Sequence, residues 1–161
     1  MFKNKIVLMF LVNLLVSVGF SQETENRIEI ESDEGMHIDA DKKMATFKGS
    51  VFLKRGKMTL QCDYLEIHYT EKDKKQEVSE LKGSGKVIIY FPERKIKAYA
   101  DLFIYDSISG EIELLSASKV KVHQEGNILE GKKIRLNVNT GDIYSYQKTK
   151  IQLNLNDFKK E

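Results

Sequence analysis

The chain has 161 residues, of which 41% are hydrophobic, 31% charged and 9% aromatic, with a single Cys, a single Pro and a formal net charge of +2. That is room for about one domain. A lone cysteine excludes a disulfide scaffold and any Cys-based zinc centre, and dense charge without repeated long apolar tracts excludes a polytopic membrane protein. A near-neutral balance with signs that alternate along the chain offers no basic face for nucleic acid.

The first element is the N-terminal segment. Lys3 and Lys5 give a positive start, Ile6 to Phe20 is an apolar run, and Gly19-Phe20-Ser21 puts small residues ahead of Gln22. This pattern predicts a cleavable secretory signal over residues 1–21, followed by one domain over residues 22–161. The alternative is a retained anchor, although the apolar run is short for a span. Removing residues 1–21 leaves 24 basic against 24 acidic residues, a formally neutral exported chain.

From residue 28 onward the apolar periodicity is two. Ile28 and Ile30 alternate with Glu29 and Glu31. Phe47, Val51 and Leu53 fall on one face, with Lys48, Phe52 and Lys54 on the other. The same alternation runs through Met58-Thr-Leu60, Val87-Ile-Ile89-Tyr-Phe91, Ile112-Glu-Leu114, Val120-Lys-Val122, and Ile143-Tyr-Ser145 onward to Ile151-Gln-Leu153-Asn-Leu155. Period two is strand periodicity. Turns are expected at Asp41–Lys43, Arg55-Gly56, Pro92–Arg94, Ser107–Gly110, Gln124–Asn127 and Thr140–Asp142, and Glu71–Lys75 reads as a polar hairpin tip. Short turns between short strands leave no space for crossover helices, so the sheet should be antiparallel. Cys62 sits in the alternating run Leu60-Gln-Cys62 and is expected to be buried.

Two small elements repeat. Ser32-Asp33, Cys62-Asp63, Ala100-Asp101 and Gly131-Lys132 each follow an apolar alternation; Gly49-Ser-Val51, Gly85-Lys-Val87, Ser118-Lys-Val120 and Thr149-Lys-Ile151 each lead into one. Spacings of 30 to 38 residues in both series make the chain about four copies of one strand-bend-strand-turn unit. A small residue is needed where a strand bends from one sheet layer to another, because a large inward side chain there would strike the facing layer. The fold expected is all-β, an elongated, open antiparallel β-roll or jellyroll, and not a closed barrel, because a repeat that translates along an axis has no way to close.

In order, Ile28-Glu-Ile-Glu-Ser-Asp33, Ala45-Thr-Phe-Lys-Gly-Ser-Val51 and Lys57 through Ile67 resemble the LptA type of the organic-solvent-tolerance (OstA) family, with Ser50 in place of the family's Asn and Cys62-Asp63 in place of its Ala-Asp. The resemblance implies a periplasmic protein of Gram-negative cells that is no enzyme and carries no cofactor. It implies an apolar groove that shields the acyl chains of lipid A, the membrane end of lipopolysaccharide. It also implies head-to-tail self-association into a bridge between inner-membrane Lpt components (an LptC-type roll and the ABC transporter complex) and an outer-membrane LptD-type translocon. Sheltering matters because each methylene exposed to water costs about 0.8 kcal/mol, or on the order of 10 kcal/mol for a chain of about 12 carbons. An anchored LptC-type relative and a structural or glycan-binding β-roll are the alternatives.

If alternation sets the inward face, the groove residues are Ile28, Ile30, Phe47, Val51, Leu53, Leu60, Leu65, Ile67, Val87, Ile89, Phe91, Phe103, Val120, Val122 and Ile134. Edge strands for assembly are expected at Arg27, Ile28, Glu29 and Ile30, and at Ile151, Leu153 and Leu155. His37, His68 and His123 lie in different repeats and share no metal-ligand spacing. Asp33, Asp63 and Asp101 recur at equivalent places, which is explained by a carboxylate's capping of bend N–H groups without a metal. No nucleophile has a partnered base, and no phosphate-binding loop is present.

Overall fold

A computed structural model describes residues 27–155. The signal segment expected at residues 1–21 lies outside the described residues, as do residues 156–161. The described chain is all-β, with strands β1 (Ile28–Glu31), β2 (Met36–Asp39), β3 (Met44–Arg55), β4 (Met58–Lys72), β5 (Lys75–Phe91), β6 (Ile96–Asp106), β7 (Glu111–Gln124), β8 (Asn127–Asn137), β9 (Ile143–Tyr146) and β10 (Lys150–Gln152). A 3₁₀ turn, Pro92–Arg94, separates β5 from β6.

All strands belong to one antiparallel sheet of order β1-β3-β4-β5-β6-β7-β8-β10, with β2 also on β3 and β9 also on β8. Each long strand has a break in its register. The ladders slip between Lys48 and Val51, Gln61 and Tyr64, Ser84 and Val87, Tyr99 and Leu102, and Leu115 and Val120. These slips fall on the repeated small elements read from the sequence; a further slip in the β4–β5 ladder, between His68 and Tyr69, does not. At the two ends the break separates strands: β1 from β2 at Ser32–Gly35, and β9 from β10 at Gln147–Thr149. The sheet therefore folds over along one line into two layers. Layer A holds β1, the second half of β3, the first of β4, the second of β5, the first of β6, the second of β7, the first of β8, and β10. Layer B holds the complementary halves with β2 and β9. The ends are unjoined and the roll is open.

The strands are longer than their sequence pattern implied, because backbone pairing continues through each bend with only a local slip. In β3 and β5 the bend is made by consecutive left-handed residues, Gly49 with Ser50 and Gly85 with Lys86. Gly85 is required twice over: its φ is +77°, and a Cβ there would lie 2.6 Å from Asp63 Oδ2. In β7 the bend is held by Asp101, whose carboxylate accepts a hydrogen bond from the Ser116 hydroxyl (2.6 Å) and another from the Ala117 N–H (3.0 Å). Both bonds keep its carboxyl below the ordinary carboxylate range. The expected tip at Glu71–Lys75 is a tight hairpin with Asp73 and Lys74 left-handed, the geometry of a type I′ turn.

Side chains between the layers form one core. Leu53, Leu65, Ile89, Leu114, Val120 and Ile134 are completely inaccessible, and Val51, Leu60, Leu81, Phe103, Ile112 and Val122 nearly so. Each fully buried aliphatic side chain contributes roughly 1.5–3 kcal/mol. Cys62 is buried in the same cluster, and desolvation pushes its thiol up to about 11.

Candidate functional site

Opposite the fold line, the layers end in hairpin tips that do not pair with one another. Tips of layer A are Arg55–Met58, Phe91–Ile96 and Gln124–Asn127; facing the first two in layer B are the inner surfaces of β5, β6 and β7 and the β8–β9 turn. Between them lies a cleft of about 690 Å³, within the usual range for small-molecule sites. Its walls are Met58, Leu81, Phe91, Phe103, Tyr105, Ile112 and Val138, and its mouth is bordered by Arg27, Glu29, Lys54, Arg55, Lys57, Glu93 and Arg94. The walls are apolar because the period-two inward series of β4, β5, β6 and β7 run on past the packed core toward the mouth. At that point the facing layer has diverged, so Met58, Phe91, Tyr105 and Val138 are half-exposed, while Leu81, Phe103 and Ile112 form a nearly inaccessible floor.

The cleft is bridged at one end. Arg94, carried by the 3₁₀ turn of layer A, donates to the carbonyl oxygens of Val138 (3.0 Å) and Asn139 (3.2 Å) in the β8–β9 turn of layer B. Gly141 (φ +81°) lies against the Arg94 guanidinium so closely that any Cβ would displace it. Behind this strap is a narrow crevice between Phe91, Ile96, Leu136 and Val138. Toward β1 the mouth is unbridged. There Lys57 pairs with Glu93 at 3.4 Å, tying the two layer A tips, and Arg27 lies 3.7 Å from Glu29, both pairs in solvent.

The structure distributes the inward residues of the sequence reading unevenly. Phe47, Val51, Leu53, Leu60, Leu65, Ile67, Val87, Ile89, Phe103, Val120, Val122 and Ile134 are buried in the core, and Ile28, Ile30 and Phe91 are half-buried against it. Of all these, Phe91 and Phe103 line the cleft. Met58, Leu81, Tyr105, Ile112 and Val138 also line it without having been singled out. The alternation was visible for Met58 and Ile112, but nothing in it distinguishes the mouth from the sealed interior. Of the edge residues, Ile28 and Ile30 face inward from β1, with Arg27 and Glu29 exposed. Ile151, Leu153 and Leu155 are 59%, 58% and 65% exposed along the last edge.

The polar candidates do not converge. His37 is exposed, His123 stacks edge-on against Tyr99 at 5.8 Å, and His68 lies 3.4 Å from Glu66 on the outer face. Among the described residues no three His, Cys, Asp or Glu side chains group as a metal site would require. The geometry is that of an apolar slot with a charged rim.

Residues 29–142 match the family described as LptA/(LptD N-terminal domain) LPS transport protein. Among solved structures, LptH of Pseudomonas aeruginosa, the LptA-homologous periplasmic component of the lipopolysaccharide transport device, superimposes with a TM-score of 0.70. That match has 18% identity and covers 83% of this chain and 99% of that one, a likeness of fold. Comparison with curated proteins gives no match.

Proposed function

The chain belongs to the LptA/(LptD N-terminal domain) family of LPS transport proteins, and from that premise we propose that it works in the periplasm as a carrier that shelters the acyl chains of lipid A. It is a transport protein and not an enzyme. The observation that carries the reading is the 690 Å³ apolar cleft, open to solvent along the unpaired side of a two-layered roll. In this reading direction and energy come from partners, as the sequence carries no Gly-rich phosphate-binding loop.

In the same reading, residues 1–21 direct export and are removed before Gln22. Copies then join head to tail, the exposed edge formed by β9 and β10 adding to the edge formed by β1 and β2 of the next roll. Both edges are divided at the fold line, so such a contact extends layer A by layer A and layer B by layer B. The joint is heterologous and does not close, so it yields a chain of rolls with a continuous groove. Its ends would engage an LptC-type roll of the inner-membrane complex and an LptD-type translocon.

Photo-crosslinkers at Phe91 and Tyr105 in the cleft and at Lys48 on the outer face test the carrier reading. Lipopolysaccharide should label the first two sites only; equal labelling at Lys48 would refute it. N-terminal sequencing of the exported protein tests cleavage, with an intact Met1 as the opposing result.

A further inference from the structure

The inward series of β3, Val51 and Leu53, ends on a cation. Arg55 keeps the same parity, sits directly across from Ile28 of β1 and Met58 of β4, and is half-buried at the cleft mouth. Among the described residues it has no acidic side chain within 4 Å. The other rim cations are differently placed. Arg27 and Lys57 have Glu29 and Glu93, Arg94 is committed to two carbonyls, and Lys54 is on the opposite, solvent-facing parity. Across the rim, Arg27, Lys54, Arg55, Lys57 and Arg94 outnumber Glu29 and Glu93, although the exported chain is neutral.

A guanidinium half-buried beside Ile28 and Met58 loses part of its hydration and, among the described residues, gains no ion pair in return. An anion placed there restores the lost interactions, and the planar fork of arginine matches a phosphate with two parallel hydrogen bonds. We propose that Arg55 seats the phosphate of a phosphorylated, acylated headgroup at the mouth, while its chains lie against Met58, Phe91 and Tyr105. This rests on the carrier reading and adds to it a fixed orientation: headgroup toward the Arg55–Lys57 tip, chains inward. Charge complementarity at the rim and the apolar walls below it together select an anionic lipid over a neutral one.

The test compares the wild-type chain with Arg55→Gln, Arg55→Lys and the outer-face control Lys48→Gln, using diphosphorylated lipid A, the same lipid stripped of its phosphates, and inorganic phosphate. Arg55→Gln should weaken binding of the diphosphorylated lipid about tenfold, the loss of a two-bond charge-assisted contact discounted for its partly solvated place. It should leave the stripped lipid unchanged. Arg55→Lys should recover part of the loss, Lys48→Gln should change neither lipid, and inorganic phosphate at about 1 mM, having no chains, should not compete. Equal weakening of both lipids, or of neither, overturns the phosphate seat, and displacement by inorganic phosphate overturns its assignment to a lipid. If the wild-type chain bound neither lipid, the carrier reading itself would fall, a result distinct from normal lipid binding that ignores Arg55.

Discussion

The strap across the cleft is open to a quantitative test because two residues on different layers serve one contact. Arg94→Ala removes both bonds to the Val138 and Asn139 carbonyls. They are charge-assisted but exposed, so the expected loss of stability is about 1–2 kcal/mol in total. Gly141→Ala acts twice. Its left-handed backbone costs an alanine about 1–2 kcal/mol, and the new Cβ evicts the same guanidinium, for a total of about 2–4 kcal/mol. In the double variant the strap is already gone, so Gly141→Ala should add only its backbone cost. The coupling between the sites is then about 1–2 kcal/mol. Urea unfolding followed by tyrosine fluorescence measures all four proteins, as the sequence has seven Tyr and no Trp. Both single variants should also admit a fluorescent fatty acyl probe faster than wild type, since they unpin the tips that bound the cleft. Additive losses, with coupling below about 0.5 kcal/mol, would show that Gly141 does not act through Arg94 and would refute the strap.

Other consequences follow from the core, the bends and the edge. Leu53→Ala, at a completely inaccessible position, should cost about 2–5 kcal/mol in urea unfolding, whereas Lys48→Ala on the exposed face should stay within about 0.5 kcal/mol. The Cys62 thiol ionises near 11 when folded against an ordinary value of 9.0, so the unfolded chain loses its proton first and stability should fall as pH rises from about 9 toward 11. Cys62→Ala should flatten that part of the pH profile, and an unchanged slope would remove the thiol as its cause. Asp101 has the opposite sign: its depressed carboxyl stabilises the β7 bend above the ordinary value of 3.8, and that contribution should disappear as pH falls below it. A wild-type and an Asp101→Ala acid-unfolding curve should therefore converge at low pH. Deleting Lys150–Glu161 removes β10 from the last edge, and light scattering should show a folded monomer that no longer associates end to end; unchanged assembly would refute edge pairing.

The architecture was legible because two signals agreed along the chain. Period-two alternation named the strands, and the small-polar elements marked the fold line between the layers, including its ends at Ser32-Asp33 and around Thr149. Strand lengths were not legible, since a bulge such as Gly85-Lys86 interrupts side-chain alternation without ending backbone pairing. The alternation runs on from Ile143 to Leu155, so only the Thr149 element signalled that the run divides into β9 on layer B and β10 on layer A, and Gln147, the left-handed residue at that break, is not a glycine as Gly49 is. The cleft was the least visible feature. Inward parity treats Leu53 and Arg55 alike, and only the divergence of the layers in space makes one a core residue and the other a rim residue. Arg55 was readable in retrospect as a charge on an apolar parity, but its neighbour Gly56 drew it into the turn.

Every ladder in the sheet joins strands adjacent in sequence, or an edge segment to its nearest long strand. No pairing waits for a distant part of the chain, so the loop-closure entropy at each step is that of a hairpin turn. Such a roll can form progressively from one end, each new hairpin templated on the last. The same locality makes length a free variable over evolution: duplicating one two-strand unit would insert a hairpin, extend the core and the cleft by the same increment, and leave both ends unchanged. A groove of this kind can be lengthened within a chain or by joining chains, and the molecule is built so that the two operations have the same geometry.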